Sequence, residues 1–199
     1  MGYGTSRTRS TTPQEQPGDL ELAKALRKGS QEAADQLVAR HGGALMAYLK
    51  AKSPEAEDIY QETWLRAIRR IGSFKYGSFR AWLTVIARNC MIDQHRRRRP
   101  DVSLDARDEA GNSLGDRLPD TGPTAGARLA GKELQQRIAE RVAALPPDQQ
   151  EVFLLRTQQE LRFAEIAKIL GIPLNTALGR MHYAVTRLRR ELGMNDEDA

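Results

Sequence analysis

The chain has 199 residues, 40% of them apolar and 29% charged, with 31 Lys and Arg against 26 Asp and Glu, a net charge of +5. That length admits one ordinary domain or two small ones, and no apolar run approaches the roughly 18 residues of a membrane span. A single cysteine, Cys90, excludes an internal disulfide and a cysteine-based zinc site, and His41, His95 and His182 lie too far apart in sequence to suggest a metal cluster.

Residues 1–18 are rich in Thr, Ser, Gln, Pro and Gly with almost nothing apolar to bury, so they read as a disordered tail. They lack the hydrophobic segment of a secretory signal, and the expected location is the cytoplasm. From Asp19 the pattern turns helical. Leu20, Leu22, Ala23 and Leu26 form a short helix ended by Gly29, and Ser30 caps a second that carries Ala33, Leu37, Val38, Leu45, Tyr48 and Leu49. Gly42 and Gly43 are candidates for a bend in it. Ser53 and Pro54 form a cap and first-turn pair for a third helix, with Glu55, Glu57 and Asp58 at its positive end. It runs to about Ile71, and Asp58, Gln61, Glu62 and Arg66 fall on one side of it.

After the loop Gly72–Gly77 comes S-F-R-A-W-L-T-V-I-A-R-N-C-M-I-D-Q-H-R-R-R-R-P, residues 78–100. Phe79, Trp82, Leu83, Ile86 and Cys90 recur at helical spacing as one apolar stripe, with Arg80, Thr84, Arg88 and His95 opposite. Asn89, Asp93 and Arg96 line one flank and lead into a cationic tip. Between Gln61 and Pro100 there are ten Lys and Arg against two acids, interleaved with Phe74, Tyr76, Phe79 and Trp82. Cations beside aromatic rings suit a single-stranded nucleic acid, whose phosphates need neutralising and whose bases need flat partners. Phe79 and Trp82 sit on the stripe and are read as core, as is Cys90.

Residues 101–130 are rich in Asp, Gly, Pro, Ser and Thr, without periodicity and with acids in excess. They read as a flexible linker between two domains. In the second domain, residues 131–199, Leu134, Ile138, Val142 and Leu145 recur at helical spacing, and Pro147 opens another helix. Then comes a helix-turn-helix pattern: Ala167 small at the crossing, Gly171 at the turn, Ala177 facing back to the core, with Ile166, Ile169 and Leu170 around them. Its second helix, about Leu174 to Leu192, is the recognition helix, with Asn175 and Thr176 at its entry. The fold class is therefore all-α, two small helical domains joined by a linker. No Gly-rich phosphate loop or nucleophile elbow is present, so no catalytic residues, metal or cofactor are expected, and the chain is not read as an enzyme.

The run W-L-T-V-I-A-R-N-C-M-I-D-Q-H-R-R-R-R, together with A-E-D-I-Y-Q-E-T-W-L-R-A-I upstream, resembles region 2 of sigma-70 family RNA polymerase sigma factors. The helix-turn-helix resembles their region 4. The length points to the extracytoplasmic-function (ECF) group, and the resemblance covers about residues 19–192. It implies a four-helix region 2 domain over 19–100 and a region 4 domain over 131–199, in a protein that binds core RNA polymerase through the largest-subunit clamp and the flap and directs it to promoter DNA. Asp58, Gln61, Glu62 and Arg66 would then contribute to clamp binding. Lys75, Tyr76, Arg88, Asn89, Asp93, Arg96 and Arg97 would meet the −10 element as a single strand.

The same resemblance assigns Asn175, Thr176, Leu178, Arg180, Tyr183 and Arg187 to the −35 element as duplex. The recognition helix keeps Thr176, Arg180, His182 and Ala184 of the family pattern but departs from it at Asn175, Ala177, Leu178, Gly179 and Tyr183. The linker's family equivalent threads toward the RNA exit path, and an anti-sigma partner is a further expectation, with no membrane insertion. The rival reading is a stand-alone helix-turn-helix regulator, which would footprint DNA without polymerase.

Overall fold

The computed structural model describes residues 17–98 and 125–193. The expectations of a tail before residue 17 and of an acidic linker over 101–124 lie outside the described residues. Within them the elements are α1 (Asp19–Arg27), α2 (Gln31–Lys50), α3 (Ala56–Arg70), a 3-10 turn (Ile71–Ser73), α4 (Phe79–Arg98), α5 (Ala125–Ala143), α6 (Pro147–Thr157), α7 (Phe163–Leu170) and α8 (Leu174–Leu192).

Local chemistry explains most of these boundaries. The backbone N–H of Gly18 donates to Glu21 at 3.1 Å, Ser30 Oγ accepts from the Ala33 N–H at 3.2 Å, and Ser78 Oγ accepts from the Ala81 N–H at 3.1 Å. Each satisfies an amide that the first helical turn leaves without an intrahelical partner. α3 begins later than its Ser53–Pro54 signal suggests. Ser53 Oγ donates to Glu55 and accepts the Glu55 N–H, folding a turn ahead of Ala56. α2 runs through Gly42 and Gly43, and a Cβ at Gly42 would overlap the Tyr60 hydroxyl, so that glycine admits α3 to close approach rather than bending the helix. α5 opens at Ala125, inside the stretch read as linker.

In the first domain α1, α2, α3 and α4 enclose Leu22, Leu37, Leu45, Leu49, Ile59 and Leu83. Phe79, 1% exposed, is its hub, with ring centroids 5.0 Å from His41, 5.2 Å from Phe74 and 5.3 Å from Trp82. The stripe read from sequence is therefore core, with Trp82 at its half-buried edge. The second domain packs Val152, Leu155, Ile166, Ala177, Ala184 and Leu188. Gly171 takes φ +66° between α7 and α8, a left-handed turn that costs an L-residue about 1–2 kcal/mol. Among the described side chains of α5 Val142 is buried, as is Leu145 just beyond the helix. Leu134 and Ile138 remain exposed.

The two domains are docked. α4 lies against α7, and the α6–α7 turn reaches α2, where Gln159 Nε2 donates to the Ala44 carbonyl at 2.7 Å.

Candidate polymerase and nucleic-acid interfaces

α3 turns Ile59, Thr63 and Ala67 into the core, which leaves Asp58 and Gln61 exposed on its outer face. Leu65 and Ile68, 49% and 43% exposed, continue that face. Sequence periodicity groups apolar residues with the core, yet these two lie outside it. Their signal is phase: they fall at i+4 and i+7 from Gln61, outside the buried set. Glu62 and Arg66 are half-buried. Arg66 turns toward α4 instead of outward, donating from Nε to Glu62 at 2.6 Å and from Nη1 to Asp93 at 2.5 Å. Its bond is the main reason the Asp93 carboxyl sits below the usual carboxylate range, with Arg97 and Arg96 adding to the effect. Asp58, Glu62, Arg66, Cys90, Asp93 and Arg97 line one open cleft of about 230 Å³ between α3 and α4. Burial raises the Cys90 thiol, which keeps it protonated and unreactive.

Along α4, Asn89, Arg96 and Arg97 are exposed and Asp93 is half-buried. Val85 and Ile92, 41% and 53% exposed, flank Asn89 and make this edge partly apolar, outside the buried stripe of α4. Lys75 and Tyr76 are exposed in the loop before α4, Tyr76 at 85%, where Gly77 turns the chain with φ +90°. Among the arginine run, Arg99 and the side chain of Arg98 lie outside the described residues.

Arg88 is held apart from that edge. Its Nε donates to Glu151 at 3.1 Å and its Nη1 to the Ile169 carbonyl at 3.0 Å, both on the second domain. Arg80, about two turns earlier, donates to the Gln159 carbonyl at 3.3 Å and pairs with Glu160. Burial raises the Glu151 carboxyl, but Lys52, the Tyr48 hydroxyl and Arg88 more than offset this and leave it below its ordinary value.

On α8, Asn175, Thr176, Leu178 and Tyr183 are exposed along one side, with Ala177 and Ala184 buried behind them. Arg180 and Arg187 are half-buried, Arg180 paired with Asp148 of α6 and Arg187 with Glu191 at 2.8 Å. The face offers hydroxyl, amide, phenol and apolar groups, with cations at its margin. That is a set able to read base edges while the cations meet phosphates. Among the described residues no cluster of His, Cys, Asp and Glu is arranged to hold a metal ion, and no helix is long and apolar enough to cross a membrane.

The family model for Sigma-70 region 2 matches residues 37–100, and that for Sigma-70 region 4 matches residues 135–188. The ECF RNA polymerase sigma factor SigW of Bacillus subtilis (strain 168) is 32% identical over 175 residues, covering 85% of this chain and 94% of that protein. The chain belongs to the ECF RNA polymerase sigma factors. The ECF RNA polymerase sigma-E factor of Escherichia coli (strain K12) is 30% identical over 177 residues, covering 85% of this chain and 92% of the relative. Among solved structures, CnrH in complex with the cytosolic domain of CnrY is 26% identical with a TM-score of 0.60, over 89% of this chain and 99% of that one. RpoE of Bartonella quintana, solved with the anti-sigma factor NepR, shares the fold at 24% identity and a TM-score of 0.62, over 81% of this chain and 97% of that one. In this ECF sigma factor the region 2 match takes in most of α2 with α3 and α4, and the region 4 match runs from within α5 through α6 and α7 into α8.

Proposed function

We propose that this ECF sigma factor docks on core RNA polymerase through the outer face of α3, carries it to promoters and helps to open them, without catalysing a reaction itself. The observation that carries the reading is the α3 face, where Asp58 and Gln61 stand beside exposed Leu65 and Ile68. A strip of acid, amide and apolar groups on a helix whose other side is core is a surface that a protein partner covers. Docking on the largest-subunit clamp and the flap is the expectation from the family, and the RNA polymerase named in SigW's description supports the first partner.

Promoter recognition divides between the domains. The first turns of α8, with Asn175, Thr176, Leu178, Arg180, Tyr183 and Arg187, meet the −35 element as duplex. The loop residues Lys75 and Tyr76, and Asn89, Asp93, Arg96 and Arg97 of α4, hold the −10 element as a single strand, joined by Arg88 once its seam contacts are released. Single-strand capture suits this edge, because an exposed Tyr next to cations serves bases and phosphates together. Transcription initiation places the protein in the cytoplasm. CnrH, solved with the cytosolic domain of CnrY, supports a protein partner for this chain as well, and an anti-sigma factor is the expectation from the family.

The test uses purified core polymerase, with run-off transcription and direct core binding measured together. The double change Asp58→Ala with Gln61→Ala, or Leu65→Ala with Ile68→Ala, is expected to weaken core association about tenfold or more. For the exposed Asp58 and Gln61 the stability change should stay within about 0.5 kcal/mol per site. Wild-type core affinity in both folded variants would remove α3 as the docking face.

A further inference from the structure

Helical spacing sorts α8 into a buried row, Ala177, Ala184 and Leu188, and an outer face. On that face Asn175, Gly179 and Tyr183 follow one another four residues apart, with Leu178 and His182 beside them. From Leu174 to Tyr183 the one Lys or Arg is Arg180, which is half-buried at the margin and paired with Asp148 of α6. Large apolar and aromatic groups stand forward in place of cations. Leu174 is 46%, Leu178 43% and Tyr183 64% exposed, and the Tyr183 ring meets that of His182 edge-on at 5.8 Å. Glycine weakens a helix interior, yet no neighbour requires one at Gly179, where a Cβ would meet nothing within 4 Å. It lowers the middle of the face and lets the backbone come close to whatever lies over it.

In the major groove each base asks for a different partner. Guanine presents two acceptors, O6 and N7, and is read by the paired donors of Arg or by Lys. Adenine presents an acceptor and a donor that match an Asn or Gln amide, and thymine alone among the four bases carries a 5-methyl group for apolar side chains to cover. The first turns of α8 supply the partners of adenine and thymine. They do not supply guanine's, since His182 directs one ring nitrogen at a time to the groove. Exposed Leu and Tyr side chains gain by losing water, which a methyl group opposite them provides and a guanine edge does not. Arg180 and Arg187 stand to the side, where the phosphates of a duplex run.

We propose that the base pairs facing Asn175, Leu178 and Tyr183 in the −35 element are A·T pairs, with Leu178 and Tyr183 covering thymine methyl groups and Asn175 bridging N6 and N7 of an adenine. The inference rests on the −35 role proposed above for α8 and names the bases that this helix reads. Gly179, between Asn175 and Tyr183, brings the helix near enough to the groove floor for these short side chains to touch base edges. Specificity is then carried by methyl burial and one amide, and affinity by the cations at the margin.

The experiment uses holoenzyme assembled from the full chain and core polymerase, and duplex fragments of a promoter that it transcribes, randomised over the −35 positions. The bound pool is sequenced, and A·T pairs are expected where substitution of Asn175, Leu178 or Tyr183 alters preference. On the best-bound fragment each −35 thymine is then replaced by deoxyuridine, which removes the methyl group and keeps every hydrogen-bonding group. Binding should weaken about fourfold for each covered methyl. That loss should vanish in Leu178→Ala or Tyr183→Ala at the methyl which the side chain covers. Asn175→Ala should cut discrimination for adenine at one position about tenfold, and Leu178→Arg should bring guanine into the selected element. Circular dichroism confirms that each variant is folded. G·C pairs at the positions governed by Leu178 or Tyr183 overturn the proposal, as does a uracil effect that survives in both alanine variants. Uracil bound as well as thymine at every position also overturns it and leaves the apolar groups of α8 to a protein partner. A pool without −35 enrichment, in which no variant changes binding, defeats the −35 role of α8 itself and the inference with it.

Discussion

Arg66 bridges Glu62 on its own helix and Asp93 on α4, and so ties α3, the helix proposed to dock on polymerase, to the edge proposed for the −10 element. Its planar fork suits two carboxylates at once, which a lysine does not reproduce. Replacing Arg66 by Gln removes the largest influence lowering the Asp93 carboxyl, which should move up toward its ordinary value of 3.8. Carboxyl-carbon NMR titration of Asp93 reads this directly, and an unmoved midpoint would mean that Arg97 and Arg96 control that group instead. Arg66 lies within the spacing that grouped it with Asp58 and Gln61, but spacing reports only the face of the helix. Which way a long side chain turns depends on a carboxylate supplied by another helix 27 residues away in sequence.

At the level of elements, α8 and α4 show two relations between pattern and packing. α8 is amphipathic in the simple sense, with Ala177, Ala184 and Leu188 inside and Asn175, Thr176, Leu178 and Tyr183 outside, so its candidate face is legible from period alone. Arg180 stands at the margin with Asp148 across from it. Its change to Ala should weaken promoter binding on every sequence and lower the salt slope by about one unit. Asp148→Asn, which frees the guanidinium, should strengthen binding without changing sequence preference. A shift of −35 preference in either variant would instead make Arg180 a reader of bases. α4 is enclosed on two sides. Its apolar stripe faces the first domain's core, and Arg80, Thr84 and Arg88 on the reverse face the second domain. A polar face reads as solvated until the element that covers it is known.

For the whole molecule, acid sensitivity follows from groups that the fold keeps below their ordinary values. Burial holds the His41 imidazole below 6.5 against the pull of Asp19, and the donors around Glu151 hold its carboxyl below 4.5 despite burial. In both cases the folded chain binds its proton less readily than the unfolded chain, so the stability is complete above the unfolded value and is lost as pH falls through the folded one. The melting temperature should therefore decline in a first step below about 6.5 and a second below about 4.5. Thermal scans against pH check this. His41→Gln should abolish the first step, and Glu151→Gln should shrink the second, to which Asp19, half-buried but held low by Arg40 and His41, also contributes. From the sequence alone came the helices, through apolar period and the caps Ser30 and Ser78, and the sigma regions, through two long local motifs. These signals are local, because a helix's phase and ends depend on residues within a few turns of one another. Only the tertiary structure decided that Arg66 turns inward, that Leu65 and Ile68 stay bare, and that Glu151 reaches Tyr48, Lys52 and Arg88. Each of these depends on which helix covers which face, and that is settled by contacts between residues distant in the chain, about which periodicity carries no information.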